Sequence, residues 1–489
     1  MQLPTGNLTI NTYQWTAPAQ VTLPGGTTRT QTYDALMRLK SIQVKDPGQN
    51  ELMNYQYTYD KVDNVVQKAT EHGTYSYTYD DLYHLKSATN PPPLNQESYT
   101  YDAVGNRTTD RNITGNWSYN ENNQLTAYNN ITFEYDANGN TTKKIEGATV
   151  TTFVYDTSDR LIEVKTTDIS SNTTTTVATY TYDPFGRRLW KEVSNTKTYF
   201  FYAGEGLLAE ANNAGLVTKL YGYQPSSVWG TDPIYLKQGA DYYFFQNDHL
   251  GTSQKLITQE GAIAWSAKAE AFGVTTVAAL SIITNNQRFP GQYFDAETNL
   301  HYNWNRYYDP NIGRYLTSDP IGLDGGDNLY IYAMANPAVR VDFNGLESPS
   351  PQEEAWCKKH PWDCGRALLC RYKAENATAG MQGQSNGEAD AVRHCIWSCC
   401  MTQALGISKS KDIGDRHEDT APRQPPVEKC MDKGNNRVGR CLATDDPKGD
   451  CASLCKKQSK NPTSPCGPLQ WPPRKPPAPA VCPDEDNCS

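Results

Sequence analysis

For its first 356 residues this 489-residue chain contains no cysteine at all. No disulfide and no thiolate-bound metal can hold that front part together, so it must rely on size, packing and hydrogen bonding. Long apolar runs are missing too: nowhere do about 18 apolar residues follow one another, which excludes a helical membrane span. The opening MQLPTGNLTINTYQW has neither a basic n-region nor an apolar h-region. The expectation is a soluble product that, if it leaves the cell, does so without a signal peptide. A basic excess is also lacking, with 45 Lys+Arg against 54 Asp+Glu. That weighs against a nucleic-acid surface as the main feature.

All 13 cysteines lie between Cys357 and Cys488. Cysteine at about one residue in ten is the composition of a domain held by disulfides or metal. Charge divides at nearly the same place: from Glu347 onward there are 20 Lys+Arg and 19 Asp+Glu, leaving 25 and 35 before it. The length suits roughly two to four domains, and the composition places the main boundary near residue 346.

The front part is repetitive. TYDALMRLKSI around Tyr33 is followed by related runs at Tyr59, Tyr79, Tyr101, Tyr135, Tyr155 and Tyr182, and a degenerate copy, SYNENNQLTAY, sits at Tyr119. Each unit is an alternating polar and aromatic run, then Asp with a turn sequence such as Ala-Val-Gly-Asn, then a second alternating run. That pattern predicts a β-hairpin, and stacked hairpins need their neighbours to bury a face. The 32 tyrosines, spaced by two at Tyr75, Tyr77 and Tyr79, read as strand faces rather than base-stacking platforms.

These units resemble the YD repeats of the Rhs family. FFQNDHLGTSQKLITQEGAIAWSAKAEAFG is similar to that family's Asp-His-Leu-Gly-Thr signature. The run from RFPGQYFDAETNLHYNWNRYYDP to NLYIYAMANP is similar to its closing core. The resemblance covers about residues 30 to 346. It implies a mainly β fold, a YD-repeat hairpin spiral forming a partial Rhs cage, followed by a mainly α, cysteine-rich C-terminal domain. The expected divisions are 1–270 for the repeat shell, 271–346 for the core, 347–460 for a helical domain and 461–489 for a proline-rich tail tied by cysteines. Function by resemblance is that of a polymorphic toxin for interbacterial competition, with a cognate immunity protein and a secretion machinery (type VI) or adaptor as partners.

The boundary itself carries a motif. In the family a proline, four residues and Asp-Pro-x-Gly-Leu precede self-cleavage after the leucine. Here Pro337, four residues and Asp342-Phe343-Asn344-Gly345-Leu346 occupy those places, with Phe343 in place of the second proline. An upstream block, Asp319-Pro320-Ile321-Gly322-Leu323, supplies a second carboxylate. Two aspartates brought together can share a proton, one activating water while the other protonates the carbonyl or the leaving group. The resemblance assigns Asp319 and Asp342 as that pair, Arg314 as their candidate charge partner, and Leu346–Glu347 as the bond cut. Taken alone, Asp-x-x-Gly is also ordinary turn chemistry.

After Leu346, GEADAVRHCIWSCCMTQALG predicts an amphipathic helix stopped by Gly406, with Asp390, His394, Trp397 and Met401 on one stripe. SKSKDIGDRHEDT offers a second helix carrying His417 and Glu418, and CMDKGNNRVGRC supplies Asn436 and Arg440. The order of the three blocks resembles a small helical toxin-tip family of uncharacterised activity, so no reaction comes with it. A neutral imidazole, His394 or His417, could act as general base, oriented by Asp390 or Glu418. Arg393 or Arg440, with Asn436, could then stabilise an oxyanion. The same groups could instead hold a divalent metal. The cysteines lack the Cys-x-x-Cys pairs of zinc ribbons, so disulfides between neighbouring helices are expected. Disulfides persist in the periplasm or outside the cell and not in the cytosol. The expected action is therefore a hydrolase working on the cell envelope, with a nuclease or a non-enzymatic binding module as the alternatives.

Overall fold

The computed structural model describes residues 2–346 except 4, 16, 111–116 and 225–226, then scattered positions between 367 and 378, and finally 388–420 and 426–459. The chain divides into two compact units, Met1–Ser348 and Pro349–Ser489, a boundary two residues past the expected one.

The first unit is built from antiparallel strands that pair with their neighbours in sequence. Strands from Thr9 to Ser98 form a nine-stranded sheet, those from Ser118 to Val277 a sixteen-stranded one, and a four-stranded sheet spans Tyr293 to Tyr315. The repeat sheet thus runs seven residues beyond the 270 boundary.

The Tyr-Asp pair has a physical role in each hairpin. Asp136 Oδ1 accepts the N–H groups of Asn138 at 3.0 Å and Asn140 at 2.9 Å, and its Oδ2 takes the Asn140 amide at 3.0 Å. Asp183 repeats this with Phe185, Arg187 and the Arg187 guanidinium. The third residue after the aspartate turns left-handed, as at Gly105, Gly139 and Gly186, with φ of 78°, 88° and 76°. That is the bulged turn an aspartate and a glycine favour together. The tyrosine reaches back to the preceding hairpin. Tyr59 donates to the Leu39 carbonyl at 2.7 Å, Tyr79 to Val65 at 2.6 Å, and Tyr155 to Thr141 at 2.9 Å. Each repeat therefore caps its own turn and ties itself to its predecessor. The degenerate copy obeys the rule, because Asn120 Oδ1 accepts the N–H groups of Asn122 and Gln124.

The closing segment lies across the tips of these turns. Arg314 and Asn328 both donate to Asn106 Oδ1 at 2.8 Å, and Tyr330 donates to the Gly139 carbonyl at 2.9 Å. Asn336 donates to Asn64 Oδ1 at 3.1 Å. Deeper, the fully buried Arg188 pairs with Asp295, and Lys191 joins Asp295 and Glu297 at 2.9 Å each. Burying ions is costly unless they are paired, and here the pairs join the repeat sheet to the core.

The second unit is helical. Among the described residues it has α1 (Glu388–Leu405), α2 (Ile407–Thr420), α3 (Pro426–Asp445) and α4 (Cys451–Ser459). Gly406, at φ 88°, ends α1 as expected. Its core joins Val392, Ile396, Trp397 and Met401 of α1 to Val438 of α3. Three described disulfides lock it: Cys370–Cys400, Cys395–Cys455 and Cys399–Cys451. The last two form a ladder one helical turn apart between α1 and α4, as i, i+4 cysteines on facing helices allow. Gly439 permits the close approach of α3, since a Cβ there would meet the Cys395 carbonyl at 2.1 Å.

Candidate functional site

Residues 342–346 are held by one hairpin tip. The strands Leu300–Asn303 and Arg306–Asp309 are joined by Trp304 and Asn305, which sets Asn303 opposite Arg306. Asn303 donates to the Asp342 carbonyl at 2.7 Å, Asn305 to the Asn344 carbonyl at 3.0 Å, and Arg306 Nε to the Gly345 carbonyl. From the other side, Asp342 Oδ1 accepts the N–H of Gly345 at 2.8 Å and of Leu346 at 3.2 Å. The Asp-x-x-Gly-Leu block is thus an aspartate folded back onto the backbone it precedes. Gly345 must be glycine: φ is 74°, and a Cβ would lie 2.5 Å from the Asn303 carbonyl oxygen.

The two aspartates do come together. Arg306 Nη2 lies 2.8 Å from Asp319 Oδ2 and 3.2 Å from Asp342 Oδ2, so the carboxylates are at most about 6 Å apart through that one nitrogen. Tyr315 donates its hydroxyl to Asp342 Oδ2 at 2.7 Å, and its ring lies 3.7 Å under the Arg306 guanidinium. Asp319, Asp342, Arg306 and Tyr315 are all buried. Asp319 is placed by its own turn, with Oδ1 accepting the Ile321 N–H at 3.1 Å. Gly325 leaves room for its carboxylate, since a Cβ there would sit 2.5 Å from Oδ2. Burial pushes the Asp319 carboxyl up to about 7, against the pull of Arg306 and with help from Asp342. Such a group keeps its proton near neutrality and can give it up.

Arg314 is not the charge partner. Its guanidinium is spent on Asn106 and on the Asn123 carbonyl, where it fastens the core to the repeat turns. The sequence offers two arginines in one stretch, and only the hairpin register selects Arg306. Tyr315, Asn303 and Asn305 were also missed, because strand tyrosines and turn asparagines abound here and nothing in their spacing sets these apart. Leu346 is described, while Glu347 across the bond lies outside the described residues.

In the helical unit the expected groups are only partly visible. His394 is half-buried on α1, its ring 6.4 Å from that of Trp397, and Arg393 is half-buried beside it. Asn436 and Arg440 are buried on α3, and Ser398 donates to Asn436 Oδ1 at 2.9 Å. Both α3 side chains face Gly414 of α2: a Cβ there would meet Asn436 Nδ2 at 3.5 Å and Arg440 Nη1 at 3.8 Å. The side chains of Asp390, His417 and Glu418, like the 461–489 tail, lie outside the described residues. A Gly-x-Ser-x-Gly run from Gly383 to Gly387 also lies outside the described residues. Among the described residues no group of three His, Cys, Asp or Glu could hold a metal ion, and no helix is long and apolar enough to cross a membrane.

Comparison with known proteins starts from the repeats. The Teneurin YD-shell family model matches residues 12–330. This chain belongs to that YD-shell family. A domain of unknown function, DUF6973, matches residues 354–464. Double-stranded DNA deaminase toxin A of Burkholderia cenocepacia is 33% identical over 319 residues, covering 59% of this chain and 22% of its own length. The tRNA3(Ser)-specific nuclease WapA of Bacillus spizizenii is 34% identical over 261 residues, 50% of this chain and 11% of that protein. Toxin protein Tse5 of Pseudomonas aeruginosa is 31% identical over 257 residues, 44% of this chain and 19% of that protein. The YD-shell chain therefore spans about a fifth or less of these relatives. A Photorhabdus luminescens Tc holotoxin pore structure shares the fold, with a TM-score of 0.58 at 22% identity over 71% of this chain and 19% of that one. Two of the three relatives are named for nucleic-acid chemistry and none of the three for an envelope hydrolase, which the sequence had favoured.

Proposed function

We propose that this YD-shell chain is an Rhs-type polymorphic toxin that cleaves itself after Leu346 and so separates its disulfide-held C-terminal domain from the shell. One observation carries the reading: a single nitrogen, Arg306 Nη2, bonds both Asp319 and Asp342, while the same two residues, Arg306 and Asp342, grip Gly345 and Leu346. Asp342, surrounded by donors, takes a proton from water, whose oxygen attacks the Leu346 carbonyl carbon. Asp319, protonated near neutrality, gives its proton to the carbonyl oxygen. Asp342 then passes its proton to the leaving nitrogen while Asp319 takes one back from a diol hydroxyl, so that the diol collapses, the C–N bond breaks, and a Leu346 carboxyl group and a Glu347 amine remain. Purified protein is expected as two fragments whose masses place the cut after Leu346, and Asp342→Asn as one full-length band. Cleavage that persists in that variant removes the pair from the account.

For the released domain, the disulfides favour action where they persist, as a hydrolase on an envelope substrate, restrained by an immunity protein and delivered by a secretion partner. Asn436 and Arg440 are the described groups for an oxyanion, with His394 as the candidate base. The names of the relatives favour the second reading, a nucleic-acid target. Expressing residues 347–489 in the cytosol and in the periplasm of one host separates the readings. Growth arrest from the periplasm alone supports the envelope; stronger killing from the cytosol supports nucleic acid; no effect from either leaves a binding module.

A further inference from the structure

The turn Asp248-His249-Leu250-Gly251-Thr252 is built like those of the repeats. Asp248 Oδ1 accepts the N–H groups of Leu250 at 3.0 Å and Thr252 at 3.1 Å, and Gly251 is left-handed at φ 85°. What differs is where the two residues after the aspartate go. In the repeat turns at Asp60, Asp102, Asp136 and Asp183 both are exposed, whereas His249 and Leu250 are half-buried. His249 Nε2 lies 2.8 Å from the Ala338 carbonyl oxygen, and its ring centroid is 4.6 Å from that of Tyr57. A carbonyl only accepts, so this nitrogen carries a proton and donates it. Leu250 packs against the cluster of Phe289, Tyr308, Tyr315 and Tyr332. Tyr315 is the residue that donates to Asp342.

Ala338 stands four residues before Asp342. It is buried in the same cluster as Tyr57. The chain around it is a closed turn, in which the Asn336 carbonyl accepts the N–H groups of Val339 at 3.2 Å and Arg340 at 3.0 Å. The Asn336 side chain in turn donates to Asn64 Oδ1 at 3.1 Å and to the Tyr83 carbonyl at 2.9 Å. The stretch that delivers Asp342 to Arg306 is therefore pinned to the repeat sheet by Asn336 and to the Asp248 turn by His249.

We propose that His249 is a positioning residue for self-cleavage, whose hydrogen bond to Ala338 sets how residues 342–346 sit against Arg306. The proposal rests on the cleavage reading above, and its test lets each fail without the other. A histidine suits this place because its flat ring lies on Tyr57 while its edge donates to the carbonyl. Neither the ring nor the hydrogen bond alone would fix both the direction and the depth of the Ala338 turn.

Cleavage of the full chain after refolding, followed as loss of the uncut band, gives the first readout. His249→Phe keeps a ring on Tyr57 and removes the donor, and should slow cleavage by about tenfold to a hundredfold. His249→Gln restores a donor at similar reach and should recover most of that loss. If the phenylalanine chain does not refold, His249→Leu carries the same expectation. The pH at which the rate turns over should stay at about 7 in these variants, because the proton transferred is the one on Asp319. The second readout needs no cleavage. In an Asp319→Asn chain kept whole, hydrogen exchange is measured at Gly345 and Leu346, whose N–H groups Asp342 accepts. Adding His249→Phe should speed that exchange by about fivefold and leave the repeat sheet unchanged. Unchanged exchange overturns the proposal whatever the cleavage rates are. So does a phenylalanine variant that cuts as fast as the parent, a glutamine variant as slow as phenylalanine, or a shifted pH dependence. A parent chain that never cuts while its exchange responds refutes the cleavage reading and still supports His249 as the anchor of the segment.

Discussion

Arg306 does three things at once: it binds each aspartate, holds the Gly345 carbonyl, and through Nη1 donates to the Leu329 carbonyl at 3.0 Å. Arg306→Met should therefore cost more than a charge. Self-cleavage is expected to fall at least a hundredfold, read as accumulation of full-length chain over time, because the scissile segment loses an anchor and the carboxylates lose the cation between them. Arg306→Lys cannot supply the fork that reaches both carboxylates and the carbonyl, and should rescue little. The proton on Asp319 gives a pH signature. With its carboxyl raised to about 7, the acid is loaded below that value and lost above it. Cleavage of freshly refolded protein should slow by about tenfold per pH unit above 7. A rate still rising at pH 8 contradicts the role given to Asp319. The sign for stability is the same. A raised carboxyl favours the native state through its bound proton at low pH, and that contribution is lost as the pH climbs through about 7.

The decisive element is the Trp304–Asn305 tip and what presses the segment onto it. Gly291, at φ 82°, lies so close that a Cβ would stand 1.8 Å from the Phe343 carbonyl oxygen. Gly291→Ala should push residues 342–346 off the tip and stop cleavage while leaving the repeat sheet folded, measured as a single band with unchanged circular dichroism. In the repeats, each tyrosine hydroxyl is one hydrogen bond to the preceding hairpin. Tyr155→Phe removes the bond to Thr141 and should cost about 1 kcal/mol in denaturant unfolding. A loss several times larger would mean that the ring, not the hydroxyl, ties the hairpins.

On the scale of the molecule, the two units are stabilised differently. Met1–Ser348 has no cysteine, and Pro349–Ser489 has all 13. A reducing agent should therefore leave the shell's unfolding unchanged and lower that of the helical unit. Cys395–Cys455 and Cys399–Cys451 close stretches of 60 and 52 residues. Replacing one of these pairs by serine should cost about 2–5 kcal/mol. Calorimetry that shows both transitions shifting together would refute this independence. The proposal that the domain acts where thiols stay oxidised rests on this dependence on its disulfides.

The repeat hairpins, the composition break near Leu346 and the helix Glu388–Leu405 are all legible in the sequence. Each is set by local chemistry: alternation for strands, Asp with a left-handed fourth residue for the turn, a glycine for the helix end. Each Asp-x-x-Gly-Leu block was legible as a local turn motif, and the pairing of Asp319 with Asp342 came from the resemblance; that one Arg306 nitrogen binds both carboxylates is a matter of long-range packing. Arg306 itself was not legible. Its choice over Arg314 depends on a two-residue hairpin register and on which turn tips the core crosses, and neither is encoded within a few residues of either arginine. The cysteine partners likewise required the facing of α1 and α4, since spacing along one helix says which cysteines share a side and nothing about what that side meets. Local sequence fixes what each segment can form; long-range packing alone decides which charged groups share one nitrogen.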